Sequence, residues 1–216
     1  MLKLKEQGMK RLIFDLRDNS GGYLDQAIML SNDFLEKGKL ITYMEGLHSE
    51  RNDIFADGNG FSQDIELAVL INEYSASSSE IFTGAMQDND RATVYGVRSF
   101  GKGLVQEPIT FSDGSGVRLT IARYHTPTGR CIQKPYTGND DYAYDILERF
   151  QSGEMMSADS IKVNDSLKYV PPGGKTVYGG GGIIPDVFVP LDTLGVTDFL
   201  VKCNRQSLQI KFANKM

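Results

Sequence analysis

The chain has 216 residues, of which 40% are hydrophobic and 24% charged, and its formal net charge is −5. These values predict one globular domain with a substantial core. The absence of a basic stripe disfavours nucleic-acid binding, and no apolar run reaches the roughly 20 residues that span a bilayer. Neither the cysteines (Cys131, Cys203) nor the histidines (His48, His125) have metal or redox spacing, so we expect free thiols.

The first half of the chain alternates predicted strands and helices. Short apolar runs typical of buried strands recur at 12–16, 40–44, 67–71 and 92–95. Apolar residues at helical spacing predict helices over 23–36 and 77–88. The polar stretches at 18–22 and 46–64 are typical of a turn and a loop.

The second half begins with a predicted hairpin and continues with a long polar segment. A turn at 113–116 precedes an alternating strand at 117–124. Residues 136–175 form a polar insertion or flap with one short helix at 145–151, and a closing helix is predicted over 193–212. The pattern favours an α/β domain with some antiparallel pairing.

A serine-rich run stands where a predicted strand passes into a predicted helix. Ser77 and Glu80 match the S-x-x-E capping box, a purely structural arrangement. The same position suits a nucleophile, because an unpaired amide at a helix N-terminus, such as that of Ser78, can stabilise the oxyanion of a tetrahedral intermediate. Local sequence leaves Ser75, Ser78 and Ser79 open as alternative nucleophiles.

A lysine between two glycines is the candidate base, because histidine is scarce and a serine hydroxyl needs a proton acceptor. Lys102 has apolar neighbours, Phe100, Leu104 and Val105, so we expect partial desolvation that favours the neutral amine. The structural alternative is an ordinary surface lysine. Gln106 is a candidate for orienting the lysine amine, or a polar residue on a strand edge.

Two glycine-rich stretches complete the candidate features. Gly21 and Gly22 form a turn between a strand and a helix, and one of their amides would complete a two-donor oxyanion hole with the amide of Ser78. Residues 179–182 have no dinucleotide-binding pattern and predict a tight turn. We expect no metal and no cofactor.

Several phrases resemble the carboxyl-terminal processing peptidases of family S41, the tail-specific serine proteases with a serine–lysine dyad. The matching phrases run in family order and are Leu16–Gly22, Asn72–Phe82, Ala85–Ala92, Phe100–Gln106, Arg123–Arg130 and Gly182–Asp186. The resemblance implies a nucleophile at Ser77, a general base at Lys102 and an orienting partner at Gln106. It also implies a crotonase-like or ClpP-like α/β spiral of ββα units.

The resemblance further implies an oxyanion hole from the amide of Ser78 and that of Gly21 or Gly22. Alanine is common in the family where this chain has Ser78, which preserves the amide donor. The family's leader, PDZ domain and opening strand are expected outside these residues, so 1–216 would be a truncated peptidase core. The implied partners are proteins or peptides with exposed C-termini, and the implied location is periplasmic or otherwise extracytoplasmic.

Two alternatives remain at this stage. Retinoid-binding repeats resemble the same core but bind hydrophobic ligands, so the chain could be a non-catalytic binding module. The tricorn-like subgroup relies on histidine, which is scarce here. The presence of Ser77, Lys102 and Gln106 in register favours the serine–lysine peptidase.

Overall fold

The computed structural model describes residues 1–135, 139–192, 197, 199, 202–203, 206 and 208–213. The described helices are α1 (Leu2–Glu6), α2 (Leu24–Phe34), α3 (Ser78–Asp88), α4 (Asn139–Gln151) and α5 (Leu208–Ala213). The described strands are β1 (Arg11–Asp15), β2 (Leu40–Glu45), β3 (Asn52–Phe55), β4 (Glu66–Ile71), β5 (Ala92–Gly96), β6 (Leu104–Thr110), β7 (Gly116–His125), β8 (Lys168–Tyr169), β9 (Val177–Tyr178) and β10 (Val187–Phe188). Among these residues, none of the helices has the length and apolar character needed to cross a membrane.

A parallel sheet in the order β1-β4-β5-β10 carries the loops that matter for function. Because β1 and β4 run in the same direction, the turns that follow them meet at one edge of the sheet. Asp18 and Asn72 join these turns, since the Asp18 amide donates to Asn72 Oδ1 and Asn72 Nδ2 donates to Asp18 Oδ1, each at 2.9 Å. The sheet therefore brings two distant sequence phrases together.

The core contains residues from α2, α3 and both larger sheets. Phe82 of α3 lies at its centre, with its ring centroid 5.1 Å from that of Phe14 in β1 and 5.9 Å from that of Phe34 in α2. Every residue of α3 from Ser79 to Asp88 is buried. This enclosed helix gives the serine-rich run a rigid support.

A second sheet is antiparallel and has the order β3-β2-β7-β6. The hairpin of β6 and β7 confirms the predicted turn at 113–116. Strand β6 begins at Leu104, directly after the Gly-Lys-Gly phrase. The prediction of a loop over 46–64 is wrong in part, because β3 lies within it. Its Asn-Asp-Ile-Phe sequence pairs with β2 although it is too polar to show an apolar run.

The polar insertion has more structure than its sequence indicated. The helix predicted at 145–151 begins earlier, at Asn139, and β8 and β9 form a small antiparallel pair further along. The predicted closing helix over 193–212 lies partly outside the described residues, although α5 is helical. Both cysteines are free thiols, as expected.

Candidate active site

Ser77 occupies a strained turn between β4 and α3. Its backbone has φ 57° and ψ −118°, in a region that residues with a Cβ rarely adopt. A sharp strand-to-helix turn of this kind exposes a serine hydroxyl at the top of a sheet in other hydrolase folds. The Ala76 amide donates to Asn19 O at 3.0 Å and the Ser77 amide donates to Glu80 Oε2 at 2.9 Å, so the turn is held on both sides.

The other serines of the run differ in what their hydroxyl groups do. Ser75 is buried, and its Oγ donates to Leu16 O at 2.7 Å. Ser79 is also buried, and its Oγ donates to Asn19 O at 3.0 Å. These two hydroxyl groups attach α3 to the turn after β1, which leaves Ser77 and Ser78 as the partly exposed serines of the run.

Glu80 connects the serine turn to the lysine phrase. Its fully buried carboxylate accepts four hydrogen bonds, one from Ser99 Oγ and three from the amides of Ser77, Gly101 and Lys102, at 2.5 to 2.9 Å. Burial raises the pKa of this carboxyl, while these hydrogen bonds act to lower it. The predicted capping residue therefore also sets the backbone position of Lys102 relative to Ser77.

Hydrogen bonds fix the backbone of the glycines before and after Lys102. The Gly103 amide donates to Gln133 Oε1 at 2.9 Å, and Gly101 O accepts from the Lys134 amide at 3.0 Å. A Cβ at Gly103 would lie only 2.6 Å from the Gln133 amide nitrogen, so a residue with a side chain would not fit here without displacing the backbone of Gln133.

The side chain of Lys102 is exposed, which differs from the expected desolvation. It lines an open cavity of about 410 Å³ together with Phe100, Tyr74 and residues of the two turns. Among the described residues, Lys102 Nζ takes part in no hydrogen bond or ion pair. Of the apolar neighbours predicted to bury the ammonium, Phe100 lines this cavity, whereas Leu104 and Val105 do not.

Gln106 lies on β6 and is also exposed. Its Nε2 donates to Thr120 Oγ1 at 3.4 Å on the neighbouring strand β7, the partner that cross-strand register gives it. The structure does not bring the Gln106 amide into a hydrogen bond with Lys102.

The glycine pair lies directly against the serine turn. A Cβ on Gly21 would come within 2.6 Å of Ala76 O and 2.9 Å of Ser77 Cβ, and the φ of Gly21 is 93°. A residue with a side chain would therefore displace the serine turn. The amide of Gly21 donates to Asn19 Oδ1 at 2.9 Å, whereas in the described part of the chain the Gly22 amide has no such acceptor.

Gly22 and Ser78 line one cavity of about 320 Å³ beside the serine turn. Their amides are the two candidate donors that remain available there, because the Gly21 amide already has an acceptor. Sequence reasoning missed Gln133 and the second role of Glu80. A signal existed, because the amides of a buried Gly-Lys-Gly phrase need acceptors, but the sequence did not show which side chain supplies them.

The chain is similar to known peptidases. The model of "Peptidase family S41" matches residues 1–143. A "Probable CtpA-like serine protease" of Staphylococcus aureus (strain MRSA252) is 41% identical over 133 residues, which are 61% of this chain and 27% of that protein. The protein of the same description in Staphylococcus haemolyticus (strain JCSC1435) is 36% identical over 172 residues, 79% of this chain and 34% of that protein.

Among solved structures, the photosystem II D1 C-terminal processing protease matches with a TM-score of 0.62 and 28% identity, over 90% of this chain and 38% of that one. Mature CPAF complexed with lactacystin matches at 13% identity with a TM-score of 0.54, over 96% of this chain and 46% of that one, and shows the fold alone. These matches and the mixed sheets confirm the predicted ClpP-like α/β fold class. The chain spans about a third of the length of the curated relatives it matches.

Proposed function

Because the chain belongs to peptidase family S41, we propose that it is the catalytic core of a serine endopeptidase with a serine–lysine dyad. The observation that carries the proposal is the strained Ser77 turn, which the buried Glu80 carboxylate ties to the backbone of Lys102. A structural serine needs no such conformation, since Ser75 and Ser79 support the fold from ordinary backbone positions.

In the proposed reaction, Ser77 Oγ attacks the carbonyl carbon of a peptide bond and the neutral amine of Lys102 accepts the hydroxyl proton. The tetrahedral oxyanion is stabilised by the amide of Ser78 and that of Gly22 or Gly21. The lysine then gives the proton to the leaving amine, which leaves an acyl-enzyme on Ser77. Water hydrolyses this ester with the same amine as base, and no cofactor takes part.

In this scheme, substrate binding also changes the surroundings of the Lys102 amine. Lys102 lines an open cavity, where its exposed side chain is in contact with solvent. A peptide that covers the cavity would exclude water and favour the neutral amine. Gln106 would orient the amine only after leaving Thr120, and catalytic hydrogen bonds often tighten when substrate arrives.

The proposed substrates are proteins or peptides with exposed, apolar C-termini, and a PDZ domain elsewhere in the protein would select them. A periplasmic or otherwise extracytoplasmic location belongs to the same proposal. Membership of the family is what supports both proposals. The proposal treats residues 1–216 as one peptidase core and 136–175 as an insertion within it.

A binding module without catalysis is the competing function, and the exposed position of Lys102 together with the Gln106–Thr120 contact favours it. Peptide cleavage separates the two. We expect Ser77→Ala and Lys102→Ala each to lower kcat/KM by about 10³-fold or more, because the dyad acts as a unit.

Ser78→Ala is the matched control, since it keeps the backbone amide, and it should retain most of the activity. Thermal unfolding of each variant would confirm that the fold is intact. Near-normal turnover by Lys102→Ala would contradict the dyad. The absence of any cleavage by the unmodified chain, combined with tight peptide binding, would favour the binding module.

A further inference from the structure

A second cavity lies at the carboxyl edge of the parallel sheet, next to the proposed active site. Its volume is about 440 Å³. The residues that line it lie at or just after the carboxyl ends of β1, β4, β5 and β10. Crevices at the carboxyl ends of parallel strands are the usual ligand sites of such sheets.

Glu73 is the most informative residue of this cavity. Its side chain is 6% exposed, and its Oε2 is buried without a hydrogen-bond partner. A buried carboxylate oxygen with no donor is costly, and native proteins rarely keep one without a reason. In the described part of the chain, the turn from Asn72 to Ser75 is closed by its own hydrogen bonds and does not supply the missing donor.

The charges around Glu73 make the cavity acidic. Asp15, Asp18 and Asp192 add three carboxylates to the wall, and among the residues that the structure describes Arg17 is the one cation that lines it. The Arg17 guanidinium is already held by Asp15, to which it donates at 2.7 and 2.9 Å. Its hydrogen bond to Asp15 lowers the pKa of that carboxyl, so Asp15 stays ionised.

The arrangement suits an organic cation better than a metal ion. In the residues that the structure describes, no group of three or more histidine, cysteine, aspartate or glutamate side chains is placed to hold a metal. A lysine or arginine side chain needs only one or two carboxylates at hydrogen-bond distance and an apolar wall for its stem. Ile71, Val97 and Leu191 provide apolar wall.

We propose that this cavity binds the side chain of a lysine or arginine in the substrate polypeptide, with Glu73 as the main acceptor. Asp18 lines both this cavity and the cavity that contains Lys102, so the two sites share a wall. A peptide bound across that wall reaches both. The inference rests on the proposed function, since it assigns a subsite to that same active site.

The test uses the full chain with Ser77→Ala, in which binding is measured without cleavage. The ligands are fluorescein-labelled apolar decapeptides with one lysine at successive positions, each paired with a norleucine counterpart of the same shape. At one position or more, we expect lysine to lower Kd by about tenfold, the range of one charge-assisted hydrogen bond. Adding Glu73→Gln should abolish this preference.

Glu66→Gln is the matched control, because Glu66 begins the strand that Glu73 follows and lies outside the cavity. It should leave the lysine preference unchanged. Should Glu73→Gln fold poorly, Asp18→Asn tests the same cavity from its exposed wall and should weaken the preference. Equal affinities for lysine and norleucine at every position would overturn the inference, as would a preference that survives both cavity variants. Because binding alone is measured, these outcomes are independent of whether the unmodified chain cleaves peptides.

Discussion

Glu80 is the residue on which the geometry of the candidate site depends most. Each of its carboxylate oxygens accepts two hydrogen bonds, and they come from both sides of the cleft. Glutamine has one acceptor oxygen and one NH2 group, which is a donor. In Glu80→Gln the NH2 group would therefore point towards at least one buried backbone amide, and that amide would lose its acceptor. We expect a loss of about 2 kcal/mol or more in the free energy of unfolding.

The same variant should also lower kcat strongly, because the Gly-Lys-Gly phrase loses its attachment to the serine turn. Urea unfolding and peptide cleavage measure the two effects. Glu148→Gln is the control, since Glu148 is exposed on α4, and it should change stability by less than about 0.5 kcal/mol. Unchanged stability and activity in Glu80→Gln would show that the hydrogen bonds from Glu80 to the serine turn and the lysine phrase are not required.

Cys131 provides a prediction about pH. Burial raises the pKa of its thiol above the ordinary value, so the folded chain holds the reactive thiolate at a lower fraction than the unfolded chain does. Alkylation of Cys131 by iodoacetamide at pH 8 should be slower in the folded state than in urea. Its rate should still be rising above pH 9.0, the usual pKa of the group. Mass spectrometry of the labelled peptide measures both, and equal rates in the two states would contradict the prediction.

At the scale of elements, the sequence predicted the parallel strands β1, β4 and β5 and the helices α2 and α3 because each has a strong apolar pattern, whereas the two-residue strand β10 was not predicted. The apolar runs of β1, β4 and β5 and the helical spacing in α2 and α3 reflect burial against one core. Strand β3 was missed because its sequence is polar and shows no strand pattern. It is a strand because it pairs with β2. The early start of α4 was missed because its first residues, Asn139 and Asp140, are poor helix formers.

The candidate site could be predicted in part from the sequence. The two phrases that contain Ser77 and Lys102 were identified from local sequence and family resemblance, and their catalytic roles stay predictions. Their connection through Glu80 depends on tertiary contacts, which no sequence spacing reveals. The exposure of Lys102 likewise depends on which elements cover it, so its apolar sequence neighbours gave the wrong expectation.

The insertion is attached to the segment before Lys102 by a buried ion-pair network. Glu154 accepts from Arg98 through both oxygens at 2.7 Å and from Arg149 Nε at 2.9 Å. Arg149 also donates to Ser99 O at 3.1 Å. Burial lowers the pKa of Arg149, and the nearby charge of Arg98 adds to that effect. The insertion therefore supports the lysine phrase from outside the cleft.

Removal of the central carboxylate should be costly. Glu154→Ala leaves two arginines close together in a mostly buried place, and breaking such a network costs about 3–5 kcal/mol. Glu148→Ala on the exposed side of α4 is the control and should have little effect. Thermal unfolding measures both, and a loss below about 1 kcal/mol for Glu154→Ala would contradict a structural role for the network.

At the scale of the whole molecule, two sheets and a buried helix bring together phrases that lie far apart in the chain. The parallel sheet positions the serine and glycine turns at one edge, and the antiparallel sheet continues from the lysine phrase. The match to family S41 spans residues 1–143 and so includes all of these phrases. Our central proposal is that the Lys102 amine activates the Ser77 hydroxyl, since the backbone amides of both residues bond to the Glu80 carboxylate.

Covalent labelling tests that claim most directly. The full chain is treated with a peptidyl fluorophosphonate, which reacts with an activated serine, and the modified residue is located by tandem mass spectrometry. The account predicts one adduct on Ser77, with a labelling rate that falls by about 10³-fold or more in Lys102→Ala. An adduct on another serine, or an unchanged rate in Lys102→Ala, would contradict it.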